Sequence, residues 1–238
     1  LKENKIDSLN NLIGYLQQSL KEIEEFQSKT KNESQAEITA LLAQLQREKE
    51  ALQKKEDELS EQNKKLMNLQ AALDNKDKAV RDLRKKVADA LLGFEGKGLT
   101  IEQKDGKVYV SMDEKLLFQS GKYDIEPAGA TALKQLATVL EQNTDINIMV
   151  EGHTDSLKYR GSGNLQDNWD LSVKRATTVV RTLLQGSSIS PIRVIAAGRG
   201  EFAPIGTNAT PEGRQQNRRT EIILTPKMDE LLKMIESN

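Results

Sequence analysis

Asp155 closes the stretch Glu151-Gly152-His153-Thr154-Asp155, and Arg175 lies in Asn168-Trp169-Asp170-Leu171-Ser172-Val173-Lys174-Arg175-Ala176. A third segment, Arg214-Gln215-Gln216-Asn217-Arg218-Arg219, adds further guanidinium groups. A carboxylate and a guanidinium at neighbouring loop and helix positions can make strong charge-assisted hydrogen bonds to a charged ligand. Each residue also has a plainer reading when taken alone. Asp155 suits a turn or cap, Asn168 or Asp170 suits the N-cap of the following helix, and Arg175 suits a solvated helix face. Covalent or hydrolytic chemistry has few means here. There is no cysteine, and a single histidine cannot build a zinc site with several His ligands. Asp155 and Glu151 form a conceivable carboxylate pair, but Arg175 beside Asp155 is expected to keep that acid ionised.

The elements that must position these residues fall in the second half of the chain. Leu99 to Gln103 alternates in polarity, Asp105-Gly106 makes a tight turn, and Val108 to Met112 alternates again, which predicts a β-hairpin. Pro127 opens a helix with Leu133, Leu136, Ala137 and Leu140 on its apolar face. Ile146 to Val150 reads as a buried strand whose end carries the Asp155 loop. Leu171, Val173, Ala176, Val179, Val180, Leu183 and Leu184 predict an amphipathic helix. Ile192 to Ala196 and Thr220 to Leu224 read as strands, the first ending at Gly198 and the second stopped by Pro226. Met228 to Ile235 reads as a short outer helix. Helices between strands give a compact α/β domain over residues 99–238.

Residues 1–92 obey different physics. They hold no proline and one glycine, Gly14, and are rich in Leu, Lys, Glu, Gln and Asn, which favours long helix. Ile6, Leu9, Ile13, Leu16, Leu20 and Ile23 alternate spacings of three and four. After a polar interruption near Gln27 to Gln35, a second repeat begins. Ile38, Leu45, Leu52, Leu59, Leu66, Leu73, Val80 and Val87 recur every seven residues. The companion positions Leu41, Glu48, Lys55, Gln62, Leu69, Lys76, Leu83 and Ala90 are mixed, so the expected product is a coiled coil of modest stability. A lone solvated helix or a helical hairpin is the alternative. A continuous helix from Ile38 to Leu91 would be on the order of 80 Å long, suited to a spacer or oligomerisation stalk. Gly93, Gly96 and Gly98 mark residues 93–98 as a linker.

The net charge is −1, from 35 Lys and Arg against 36 Asp and Glu, which gives no argument for nucleic acid. No run approaches a transmembrane helix, and the chain starts at Leu1 without methionine. An upstream segment carrying the targeting information is therefore expected.

Taken in order, the three motifs resemble the OmpA C-terminal family of peptidoglycan-binding domains, which includes peptidoglycan-associated lipoproteins and the periplasmic domains of flagellar stator B subunits. The resemblance covers about residues 108 to 225. It implies an α/β (α+β) sandwich with a mixed sheet and helices on one side. It also implies that Asp155 and Arg175 hold the diaminopimelate of the peptidoglycan stem peptide. The ligand's ammonium suits a carboxylate, and its carboxylate suits a guanidinium fork, which lysine at 175 would lose. By the same resemblance Thr154 and Leu171 line the pocket, Asn168 orders the loop, and Arg218 contacts ligand or glycan. Arg218 and Arg219 equally suit salt-bridge anchoring of a strand edge. His153 is expected to be a hydrogen-bonded structural residue, and Trp169 to cover the core, with sugar stacking as the alternative. The segment Ser156 to Asp167 is longer than the family's usual link.

The function so implied is non-catalytic: peptidoglycan binding that anchors the outer membrane to the wall. A missing N-terminal anchor, such as a lipoprotein's, would tie the chain to the membrane, and the coiled coil would make a homo-oligomer with raised avidity. No cofactor or metal is expected, and the expected location is the periplasm, attached to the outer membrane. A stator-like inner-membrane protein, or a scaffold whose α/β domain binds protein, are the alternatives.

Overall fold

The computed structural model describes residues 3–29, 35–159 and 165–227. Its contacts divide the chain into two units, Leu1–Asn68 and Leu69–Asn238. The expected helix at Met228 to Ile235 lies outside the described residues, as do positions 160–164 of the long loop and 30–34 of the polar interruption.

The first unit is helical, with α1 (Glu3–Lys29) and the front of α2 (Gln35–Ala90). Its polar faces are laced by contacts one turn apart, among them Gln46 to Glu50 at 2.8 Å and Gln53 to Asp57 at 3.1 Å. Such pairs support a helix by a few tenths of a kcal/mol each, about 0.2–0.5. The seam positions Leu45, Leu52 and Leu59 are half-buried, whereas Leu41 and Leu66 are exposed.

In the second unit the end of α2 behaves differently. Val80, Leu83 and Val87 are buried and, with Leu91, join one apolar cluster with Leu99, Ile101 and Val110. The last positions of the seven-residue repeat are thus core of the sheet unit.

The sheet contains β1 (Leu99–Lys104), β2 (Lys107–Asp113), β3 (Ile146–Gly152), β4 (Val194–Gly198) and β5 (Arg219–Pro226), in the order β1-β2-β5-β3-β4. Only β3 and β4 run parallel. The β1–β2 turn is Asp105-Gly106, with φ of 51° and 67°, the left-handed pair that a two-residue hairpin requires. α3 (Glu114–Leu117) and α4 (Pro127–Gln142) link β2 to β3, and α5 (Asn168–Leu184) crosses from β3 towards β4. One face of the sheet, with Val108, Val110, Ile148, Val150, Ile222 and Leu224, packs with Leu136 and Leu140 of α4 and Val179 and Leu183 of α5. This is the mixed sheet with helices that the motifs imply.

Two local expectations need correction. Ile192 and Arg193 belong to a short 3-10 turn, Pro191–Arg193, so the strand starts at Val194. The turn arises because Arg193 is buried and spends its guanidinium on the carbonyls of Ile146, Leu140 and Asn143. The N-cap of α5 is Asp167, whose side chain accepts from the Asp170 N–H at 3.0 Å, not Asn168 or Asp170. Two short helices, α3 and α6 (Pro211–Asn217), escape the periodicity because neither completes two turns.

Two glycines set how closely α5 approaches the sheet. A Cβ on Gly152 would collide with the Ser172 carbonyl, and one on Gly198 with the Ser172 hydroxyl and Val173. Backbone contact at the strand ends brings the start of α5 against the Asp155 loop.

Candidate ligand-binding site

The Asp155 loop is built by strand ends. The N–H of His153 donates to the Arg219 carbonyl at 2.9 Å, and that of Thr154 to Gly200 at 2.8 Å. Arg199 N–H donates to the Gly152 carbonyl at 2.9 Å, and Ser172 Oγ accepts from Gly200 at 3.1 Å. Asp155 then turns the chain by accepting from the Leu157 N–H at 2.9 Å. Asn168 sits buried behind it and donates to the carbonyls of Asp155 (3.3 Å) and Leu157 (3.1 Å) and to Glu201 (2.6 Å). Thr154 Oγ1 donates to the Asp155 carbonyl at 3.1 Å, and Leu171 is buried in the first turn of α5.

Arg175 is 2% exposed. Its position is fixed on three sides: Nε donates to the Lys122 carbonyl at 2.9 Å, Nη2 pairs with Glu114 Oε1, and Cζ lies 5.0 Å from the centre of the Phe118 ring. The expected direct pairing of Arg175 with Asp155 does not occur. Glu114 stands in between, and Arg218 completes the link, its Nε on Glu114 Oε2 at 2.6 Å and its Nη1 on Asp155 Oδ2 at 2.5 Å. The four groups form a chain of alternating charge, Arg175–Glu114–Arg218–Asp155. Burial works against the charge of Arg218, but Asp155 and Glu114 outweigh it and push its pKa up. It is Arg218, not Arg175, that pairs with Asp155.

Glu114 was not anticipated from the sequence. It is buried at the head of α3, and its N–H donates to the Arg218 carbonyl at 2.9 Å, beside the paired residues Asp113 and Arg219. The one available signal was an acid directly following an alternating strand, which is common on solvated loops. Asn217 lies within the Arg214 to Arg219 segment. It is fully buried and clamps the loop before α6: its Oδ1 accepts from Ile205 and Gly206 at 2.8 Å, and its amide donates to the Gly206 carbonyl at 2.9 Å.

A second ionic cluster lies alongside. Glu151 and Glu221 are directly opposite on β3 and β5, and the His153 ring is buried between them. His153 Nε2 lies 3.3 Å from Glu151 and 3.7 Å from Glu221, yet neither ring nitrogen makes a hydrogen bond, which corrects the hydrogen-bonded expectation. Each acid has its own arginine: Arg199 meets Glu151 at 3.0 Å and Arg219 meets Glu221 at 2.7 Å. Burial first, and then the charges of Arg219 and Arg199, lower the His153 pKa from 6.5 to about 3, so the imidazole is neutral near pH 7. Glu151, His153 and Glu221 present ligand-type atoms within 4.8 Å of one another, but the two arginines already balance both acids.

Trp169 does not cover the core. It is 47% exposed and stacks on Phe202 with ring centres 5.3 Å apart. The two rings flank Asn168 and Glu201, so an aromatic surface borders the Asp155 loop. Amphipathic pattern cannot separate a core indole from one resting on a loop aromatic.

Comparison with known proteins agrees with this architecture. Residues 117–218 match the OmpA family model. The chain is 33% identical over 118 residues to Motility protein B of Bacillus subtilis, covering 50% of this chain and 45% of that protein. It is 36% identical over 132 residues to the probable lipoprotein YiaD of Escherichia coli, covering 55% and 57%. It thus spans about half the length of these curated relatives. A putative MotB-like protein from Desulfovibrio vulgaris superposes with a TM-score of 0.60 at 26% identity, covering 67% of this chain and 99% of that one. Residues 117–218 are thus similar to the OmpA family domain, and a long helical segment precedes them. The chain's relatives include a motility protein and a lipoprotein, and no described helix is long and apolar enough to cross a membrane.

Proposed function

We propose that this chain is a non-catalytic anchor that grips the diaminopimelate of a peptidoglycan stem peptide. The observation that carries this is the charge chain at the Asp155 loop, in which Glu114 and Arg218, from segments distant in sequence, link Asp155 to the buried and braced Arg175. Asp155 takes the ligand's ammonium and Arg175 its carboxylate. Thr154, Leu171 and Asn168 shape the loop, and Arg218 stands at its surface. Trp169 and Phe202 offer an aromatic face to an adjoining sugar.

Residues 1–92 serve as stalk and 93–98 as link to the binding domain at 99–238, with Val80, Leu83 and Val87 helping to build that domain's core. The exposed seam leucines Leu41 and Leu66 suit pairing with a second copy in a coiled coil, which would raise avidity for a polymeric wall. The working location is the periplasm, with an N-terminal anchor fixing the chain to the outer membrane. The likeness to Motility protein B favours, as second reading, a stator-like protein of the inner membrane.

Calorimetric titration of a diaminopimelate-containing stem peptide into the full chain tests the site. Saturable binding that disappears in both Asp155→Ala and Arg175→Lys supports it. A folded wild-type chain that takes up no peptide refutes it.

A further inference from the structure

The charge chain carries more than a pocket. Of its four side chains, Arg175 is 2% exposed, and Glu114 and Asp155 are each 7% exposed, whereas Arg218 is 25% exposed. Asp155 therefore has little open surface, and the guanidinium that covers it is the outermost member. The occupants already in place have the two charges of a zwitterion. A cation, Arg218, sits on Asp155, and an anion, Glu114, sits on Arg175.

We propose that Arg218 is a gate which holds, on Asp155, the place that the ligand's ammonium takes, and that the ligand enters by exchange. This rests on the function proposed above. Glu114 is what makes the exchange possible. It is bound to both arginines, one on each oxygen, so Arg218 can release Asp155 while its Nε stays tethered to Glu114 at 2.6 Å. Arg175 remains clamped by Glu114 and by the Lys122 carbonyl throughout. The charge count favours exchange over simple addition. The closed site holds two cations and two anions, and a second cation cannot reach Asp155 until the first has moved. An ammonium for a guanidinium keeps Asp155 paired, which avoids the large cost of a buried, uncompensated carboxylate. Glu114 is accordingly a positioning residue, and Arg218 sets the cost of entry.

This assignment reverses the sign expected of a direct contact. If Arg218 gripped the ligand, its removal would weaken binding. As a gate, its removal frees Asp155 and strengthens binding. The test is calorimetric titration of the diaminopimelate stem peptide into the full-length wild type and Arg218→Gln, with folding checked by circular dichroism. The expected result is binding tightened by roughly tenfold in Arg218→Gln. Its thermal midpoint should also be lower without peptide and rise further with it than the wild type's does. Equal or weaker binding by a folded Arg218→Gln overturns the gate while the proposed function stands. Failure of both proteins to bind overturns the two together. A wild-type measurement covers the case of a variant that does not fold. The Arg218 side-chain N–H resonance should shift on saturation with peptide, and an unmoved resonance overturns the gate.

Discussion

The Asp155 cluster and the His153 cluster lie two residues apart on one strand end, and each joins two acids to two arginines. In the first the groups are wired in series, since Glu114 serves both arginines and Arg218 serves both acids. In the second they are wired in parallel, with Arg199 on Glu151, Arg219 on Glu221 and a neutral imidazole between. A series arrangement transmits any loss along the chain. A parallel one confines it to a single pair. The same residue types therefore give a site that can exchange partners in one place and a fixed strand clamp in the other.

The largest expected effect lies in the series cluster. Arg175→Ala leaves Glu114 buried with one partner lost, and breaking such a pair costs about 3–5 kcal/mol. Urea unfolding of the full chain measures it. A cost as small as that of an exposed pair would dissolve the contrast between the clusters.

Acid pH sharpens the comparison next. His153 has a lowered pKa in the folded state, so the unfolded chain binds the proton more readily. The contribution is fully present above pH 6.5 and is lost as pH falls from there towards about 3. Each pH unit within that window removes up to about 1.4 kcal/mol. His153→Gln should flatten the loss between pH 6 and 4 on the order of that slope, measured by thermal unfolding against pH. An unchanged slope would mean that the imidazole is not buried neutral.

A smaller effect is expected from Arg199→Ala. Its side chain is 57% exposed, and an exposed pair contributes under about 1 kcal/mol. A cost matching that of Arg175→Ala would show that the second cluster is also wired in series. A change of similar size, about 0.5–1.5 kcal/mol, is expected from Trp169→Ala, which loses the stack on Phe202, with weaker sedimentation on isolated walls as its distinguishing readout.

Much of the architecture was legible in residue order. The Asp105-Gly106 turn, the start at Pro127 and the apolar face of α5 each rest on local backbone preference or period, and they appear where those rules put them. The site was legible only as motifs. Asp155, Asn168 and Arg175 are brought to one strand end, but the partner of each charge was not readable. Glu114 lies 61 residues before Arg175 and 104 before Arg218, and no spacing links them. Trp169 was misplaced because the same helical phase serves a core face and a rim that carries Phe202.

By itself the sequence determined the helical character of the first part, the hairpin, the strands and the identity of the loop that carries Asp155, because these depend on local conformation and short-range period. Only the tertiary structure decided that Val80 and Val87 are core, that His153 is buried without a hydrogen bond, and that Glu114 and Arg218 stand between Asp155 and Arg175. Those outcomes depend on which side chains share a low-dielectric space, and β2–β5 pairing sets that across more than a hundred residues of chain.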